Sequence, residues 1–248
     1  MTTLLAFDTA TQRMSLAIAA RGAVWEHEGA GGAQASAALI PAILALLARA
    51  GVTLAALDAI AFGRGPGAFT GLRTACAVAQ GLAFGAAKPV LPVDTLLAIA
   101  EDARDGAAPQ RIWAVTDARM DEIYAAHYAF DGQRWTTLVA PMLASADALI
   151  ARWRSAPPDT VAGNALEVFA DRLPTGAARR CPQARPQARA LLRLAQERWD
   201  AGAAVDAALA LPLYVRDKVA LTTAEREAQH IARHAAMAGT AATGKDAR

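Results

Sequence analysis

The chain is 248 residues long, 54% hydrophobic and 19% charged, with a formal net charge of +2 at pH 7. That length suits one large domain or two small lobes around a sizeable core. A charge so close to balance is too small to argue for an electrostatic grip on nucleic acid by itself, because affinity for a phosphate backbone scales with the number of clustered cations. Cys76 and Cys181 stand far apart without zinc-ligand spacing, and the first residues lack the basic start and long apolar middle of a signal peptide, so a cytoplasmic setting is expected. No membrane span is expected, since Pro41, Arg49, Arg73 or Gln80 interrupts the longest apolar segments.

In chain order, Leu4 to Phe7 reads as a short apolar strand ending at Asp8-Thr-Ala-Thr11, and Met14 to Ala20 as its hairpin partner. Ala23 to Glu28 adds a third antiparallel strand. Asp8 and Thr9 then occupy a hairpin tip, where Asx-type turns use Asp for backbone hydrogen bonds and nucleotide-binding folds of this layout face phosphates. Ser36 to Ala50 is a helix closed by Gly51. Leu39, Ile40, Ile43, Leu44, Leu46 and Leu47 cover more than one stripe of it, so the helix is expected to be buried twice, once on its own sheet and once against something else.

Gly63-Arg-Gly-Pro-Gly-Ala-Phe-Thr-Gly-Leu-Arg73 follows the strand Ala59 to Phe62 and opens a helix over about 70–86. Its glycines permit close backbone approach and Pro66 fixes one dihedral; Thr70 is placed as the N-cap. The P-loop pattern needs Lys followed by Ser or Thr after its last glycine, and the dinucleotide fingerprint needs glycine at 70, so neither applies. Arg73 in the first helical turn opposes the helix dipole and calls for an anion or a carboxylate beside it. Asp8, Thr9, Gly65, Gly67, Thr70, Gly71 and Arg73 are thus the candidate nucleotide or anion contacts. The following helix carries small residues, with Val78, Leu82 and Phe84 as apolar bulk. A helix-on-helix protein interface is expected through Leu39, Ile43, Leu46, Leu47, Ala75, Val78, Ala79 and Leu82.

Lys88 to Val93 reads as a strand, and Asp94 as the cap of a helix running to about Ala103. The polar stretch Glu101 to Pro109 marks a lobe boundary. Beyond it, strands at Arg111 to Val115, Glu122 to Phe130 and Trp135 to Val139, with Thr116 to Asp121 as a turn, echo the opening hairpin and suggest a duplicated architecture. Ser145 caps a short helix to Trp153, Thr160 to Ala162 is a short strand, and a helix runs from about 187 to Ala201. The last structured run expected is Leu211 to Val219. Of the four histidines, only His230 and His234 have helical spacing, read as a solvated helix face.

Together, Asp8-Thr-Ala-Thr11, the 63–73 loop, Thr116-Asp-Ala-Arg-Met120 with Tyr124, Ala162-Gly-Asn164, and Pro212-Leu-Tyr-Val-Arg216 with Val219-Ala220 resemble the TsaB (YeaZ) family, in order and up to about residue 225. The resemblance implies an α/β, actin-like two-lobe fold of the sugar kinase and heat-shock ATPase type, each lobe a mixed sheet with flanking helices. The implied domains are an N-terminal lobe over 1–103 bearing the partner-binding helices, a smaller lobe over 104–225 whose late helix packs back on the first, and a partly disordered tail over 226–248. The implied role is that of a non-catalytic subunit in making threonylcarbamoyladenosine at position 37 of tRNA. Its implied partners are a TsaD-like catalytic paralogue, a TsaE-like ATPase, a second copy of itself when alone, and tRNA only through the complex. No metal and no required cofactor are expected, with ATP or ADP binding weak or through the complex. Thr95 and Ile99 stand where the paralogue's metal-binding histidines would be. The chain departs from the family at Ala35-Ser36, where many members carry His-Ser, and at Ala68, where many carry Ser. The alternative is an ATP-dependent phosphotransferase of the same fold, using Asp8 and Asp117 as its acids.

Overall fold

The opening strands follow the burial that their side chains demand. In the computed structural model, which describes residues 2–216, β1 (Leu4–Asp8) is buried along its whole length, β2 (Arg13–Ala20) pairs with it antiparallel, and β3 (Ala23–Ala30) pairs antiparallel with β2. A helix, α1 (Ala35–Ala50), ends at Gly51, whose φ of 63° turns the chain out of the helix. β4 (Ala59–Gly65) then lies parallel to β1, α2 (Phe69–Ala86) returns over the sheet, and β5 (Val90–Asp94) lies parallel to β4. The half closes with α3 (Thr95–Ala103).

After the polar stretch Arg104 to Pro109 the same wiring recurs. β6 (Gln110–Arg119), β7 (Glu122–Phe130) and β8 (Trp135–Ala144) form an antiparallel meander, followed by α4 (Ala146–Ser155). β9 (Thr160–Ala162) is parallel to β6, α5 (Ala165–Val168) follows, β10 (Arg179–Cys181) is parallel to β9, and α6 (Ala188–Asp200) ends the half. The sheet orders, β3-β2-β1-β4-β5 and β8-β7-β6-β9-β10, correspond strand for strand. The echo between the two hairpins therefore extends to the complete β-sheet topology of each lobe.

Three apolar clusters set the layers. One face of the first sheet packs Leu5, Phe7, Ile18 and Phe62 against Leu39, Ile43 and Leu46 of α1 and Ala75, Ala79 and Ala83 of α2. The other face shares a cluster with α3, α6 and the second sheet: Leu4, Ala6, Leu96, Ile99, Leu191, Leu194, Ile112 and Tyr128. The outer face of the second sheet packs Trp113, Val115 and Ile123 against Leu149, Trp153 and Leu166 of α4 and α5. Consequently α3, buried on nearly every side, and α6 form a common layer between the sheets.

Several local expectations change. Thr70 is not the N-cap of α2: the helix begins at Phe69 with Ala68 in the cap position. Asp94 stands before α3 without capping it, because its carboxylate pairs with Arg64 Nε at 2.5 Å. β6 runs through Thr116 to Arg119, so Asp117 lies in the strand at a register shift, and the tight turn is carried by Met120 and Asp121 with positive φ. β8 continues five residues past Val139 to Ala144. The edge strand β10 had no signal, being three residues with two arginines. Residues Leu211 to Arg216 form no helix or strand. Val219 and Ala220, the segment from Thr222, the His230 and His234 pair and the 226–248 tail lie outside the described residues.

One charged group sits in the common layer. Glu101, 1% exposed, accepts hydrogen bonds from Arg104 (both at 2.8 Å), Trp135 Nε1 (2.9 Å) and Arg193 Nη1 (2.9 Å), tying α3 to β8 and α6. Burial pushes its carboxyl up, but the bonds from Arg104 and Trp135 and the charges of Arg104 and Arg193 more than offset this and hold it below its ordinary value. Its stabilisation is thus present above the ordinary glutamate range and is lost as pH falls through the lowered folded value. Replacing Glu101 by Ala strands two arginines and an indole N–H. The expected loss is ~3 kcal/mol or more in urea unfolding at pH 7, and the difference from wild type should shrink in acid.

Candidate functional site

The hairpin tip and the glycine loop form one tightly packed unit. Asp8 ends β1 and is 1% exposed; its Oδ1 accepts from the Ala10 amide at 2.7 Å and its Oδ2 from the Thr95 hydroxyl at 2.8 Å. Thr95 Oγ1 in turn accepts from the Gly65 amide at 3.1 Å. Thr9, wholly buried, donates its hydroxyl to the Gly71 carbonyl at 2.7 Å, and the Ala68 amide donates to the Ala10 carbonyl at 2.8 Å. The glycines make this possible. A Cβ on Gly63 would stand 1.8 Å from Asp8 Oδ2, one on Gly71 1.9 Å from the Thr9 carbonyl oxygen, and one on Gly67 2.6 Å from the Ala10 carbonyl oxygen.

Of the expected anion contacts, Asp8, Thr9, Gly65, Gly67 and Gly71 are therefore brought together, with the side-chain oxygens of Asp8 and Thr9 engaged by the protein itself. Thr70 is exposed on the first turn of α2. Arg73 meets neither a carboxylate nor an anion among the described residues: its Nε donates to the Tyr214 hydroxyl at 3.1 Å and its guanidinium lies 3.8 Å from the Phe69 ring centroid. Tyr214, itself 5.6 Å from Phe69 between centroids, thus fastens the segment after Ala210 to the start of α2. The Leu213 amide adds a bond to the Arg64 carbonyl at 2.7 Å, and Cys76 and Gln80 both donate to the Ala210 carbonyl at 2.9 Å.

Burial raises the Asp8 carboxyl to about 6, against the lowering effect of its bonds from Ala10 and Thr95. In the second lobe Asp117 is more open; its Oδ1 accepts from the Arg119 amide at 2.8 Å and Asn164 Oδ1 accepts from the Asp117 amide at 3.1 Å. Gly163 repeats the close approach there, with φ of 118° and a Cβ position 2.1 Å from the Val115 carbonyl oxygen.

The second expected feature, an apolar face on α1 and α2, is present with different residues. Leu39, Ile43, Leu46, Leu47, Ala75 and Ala79 are all buried against the first sheet, so they are core and not docking surface. Val78 and Leu82 are half-buried. The outward residues are Ile40 (45% exposed), Leu44 (55%) and Phe84 (85%), accompanied by exposed Ala37, Pro41, Ala45, Ala77, Gly81 and Gly85. A Cβ on Gly81 or Gly85 would meet nothing within 4 Å, so these glycines answer no packing need among the described residues. The wide apolar coverage of α1 already contained Ile40 and Leu44; what it lacked was the direction of the sheet. Among the described residues no group of three or more His, Cys, Asp or Glu is placed to hold a metal ion, and no helix is long and apolar enough to cross a membrane.

This arrangement can be set beside known proteins. The family described as "TsaD: tRNA N6-adenosine threonylcarbamoyltransferase" matches residues 31–224. The solved structure of YeaZ from Pseudomonas aeruginosa is similar at 37% identity with a TM-score of 0.78, covering 86% of this chain and 100% of that one. The chain belongs to this family, in its TsaB/YeaZ branch. Curated TsaB proteins named for tRNA threonylcarbamoyladenosine biosynthesis match at 43% identity over 122 residues in Haemophilus influenzae, 49% of this chain and 52% of that protein. The Escherichia coli protein of the same name matches at 39% over 128 residues, 52% and 55% respectively. The chain thus spans about half the length of the curated relatives it matches. The TsaB/YeaZ fold is the actin-like, two-lobe α/β arrangement, here with one mixed sheet per lobe.

Two consequences follow for the TsaB/YeaZ glycine loop. Gly63→Ala must displace the Asp8 carboxylate, and a loss of ~3 kcal/mol is expected in urea unfolding, whereas Gly81→Ala on the open face of α2 is expected to stabilise by ~1 kcal/mol. Equal effects at the two positions would contradict the geometry. The raised Asp8 group favours the fold fully below its ordinary value of 3.8, and this contribution is lost as pH rises through about 6. Wild-type stability relative to Asp8→Asn should therefore fall by ~3 kcal/mol between pH 4 and pH 7, read from denaturation at each pH.

Proposed function

We propose that the chain is a non-catalytic subunit in tRNA threonylcarbamoyladenosine synthesis that binds and activates a TsaD-like catalytic paralogue through the outward face of α1 and α2. The observation that carries this reading is the apolar, small-residue character of that face. Ile40, Leu44 and Phe84 expose bulk to solvent, while Gly81 and Gly85 leave room for a second backbone to approach. The names of the TsaB relatives supply the pathway. A TsaE-like ATPase completes the assembly, tRNA is reached only through the complex, and the setting is cytoplasmic. In the absence of the paralogue the same face pairs two copies of the chain.

What supports an accessory role over a phosphotransferase is the state of the two acids. Asp8 is enclosed and accepts from Ala10 and Thr95, and Asp117 is turned onto Arg119. A phosphotransferase needs a carboxylate free to hold a metal and another to accept a proton from the nucleophile. Thr95, standing where the paralogue's first metal-binding histidine would be, spends its hydroxyl on Asp8 and the Gly65 amide. No cofactor is required for the proposed role; any ATP or ADP is bound weakly or by the assembled complex.

The decisive test mixes the chain with the TsaD-like paralogue and measures complex formation by calorimetry. Leu44→Glu and Phe84→Glu, at exposed positions, are expected to leave the unfolding midpoint unchanged and to weaken the complex ~30-fold or more. They should also convert a self-paired form to monomer in sedimentation. A complex of undiminished affinity would remove this face from consideration, and robust ATP turnover by the chain alone would remove the accessory reading.

A further inference from the structure

The outer face of the second sheet holds a cleft of about 300 Å³ that the docking role does not use. Its floor is Trp113 of β6 and His127 of β7, cross-strand neighbours whose rings stack with centroids 4.7 Å apart and planes 7° from parallel. Arg111, two residues before Trp113 and so on the same face of β6, and Arg152 in the last turn of α4 both line it. Leu138 and Val139 of β8 form an apolar wall. Several other arginines, among them Arg13, Arg64, Arg104, Arg185, Arg189 and Arg193, meet carboxylates. Although Asp159 lines the same cleft and the Arg152 guanidinium lies 6.0 Å from the Trp113 ring centroid, neither the Arg111 nor the Arg152 guanidinium forms an ion pair or hydrogen bond with the described residues. Nor do the two nitrogens of His127, whose stacked ring directs them along the floor rather than into Trp113.

We propose that this cleft is a binding site for the terminal phosphate of a small phosphate monoester, held by Arg111, Arg152 and an N–H of His127. Two planar guanidinium forks and one imidazole on three elements supply more donors than the two oxygens of a carboxylate can accept, which suits the three terminal oxygens of a monoester better. The apolar wall receives the ester group. The charges do not all favour an anion: Asp159 and the carbonyl end of α4 oppose it, the latter by a few tenths of a kcal/mol. Both arginines are therefore needed, and removal of either tips the balance.

The groups facing His127 are Arg111 from β6, Arg152 from α4 and Asp159 from the segment before β9. Burial lowers its pKa below the ordinary value, and the two arginines lower it further against the opposing pull of Asp159. A phosphate placed between the arginines cancels their repulsion. It must raise the His127 pKa, and by linkage it binds more tightly as pH falls through that value.

The full chain is titrated with inorganic phosphate while the His127 imidazole signals are followed by NMR, with sodium chloride at equal ionic strength as control. The expected result is a saturable shift with phosphate only and a raised His127 pKa at saturation. Arg111→Ala and Arg152→Ala, both at exposed positions, should each weaken phosphate by ~10-fold or more. Phenyl phosphate should bind more tightly than inorganic phosphate because of the wall, and Leu138→Ser should erase that advantage. A response to chloride equal to that of phosphate, or unchanged phosphate affinity in both arginine variants, overturns the proposal. An RNA trinucleotide without a terminal phosphate that acts at lower concentration than phenyl phosphate overturns the assignment to a terminal group.

Discussion

The rest of the molecule depends on how closely the turn after β1 is pressed into the loop after β4. The Asp8 carboxylate lies against the backbone of Gly63 and the Thr9 carbonyl against that of Gly71, at separations no side chain would permit. This contact joins the end of one parallel strand to the beginning of the helix that follows its neighbour. It thereby fixes where α2 starts and the direction in which it leaves the sheet. Steric exclusion of every side chain but hydrogen makes one arrangement the dense one. The second lobe repeats the device in reduced form, with Gly163 on the Val115 carbonyl before the four-residue α5.

Two copies of one sheet topology share a middle layer and differ in their outer layers. In the middle, α3 and α6 are covered by both sheets, and Glu101 collects donors from three elements in a setting where an unpaired charge would be costly. Outside the first sheet, α1 and α2 are long and apolar on both faces. Outside the second, α4 is shorter and carries arginines, and α5 is a single turn. The common layer fixes the frame, and the outer layers are free to take on separate tasks.

Much of this was legible in the residues. Period and punctuation placed β1, β2, α1, β4, α2 and α3, because apolar runs bounded by Gly51, Gly63 and Pro89 leave few alternatives. The glycine loop was recognisable as a place of close approach, but not what approaches it: an inward carboxylate and an outward phosphate demand the same glycines. For the same reason Leu46 and Leu44 looked equivalent on α1, since a helix that is apolar all round does not say which stripe faces the sheet. Arg73 called for an anion by its position at a helix start, and instead found the Phe69 ring one turn before it and the Tyr214 phenol, brought from far along the chain. A contact made at the separation of Tyr214 leaves no local pattern. β10 and the extension of β8 were missed because their edges take hydrogen bonds from neighbours without needing apolar side chains of their own.

The exposed glycines of α2 bear on why the outer face of the first lobe is built as it is. A glycine inside a helix costs about 1 kcal/mol relative to alanine, and at Gly81 and Gly85 nothing among the described residues lies close enough to require that cost. At Gly63 and Gly71 the same residue type is forced by neighbouring atoms at under 2 Å. The two pairs therefore have different causes. The inner pair is explained by the chain itself. The outer pair, beside the exposed Phe84, has no such neighbour among the described residues, and the partner backbone proposed to dock there would account for it.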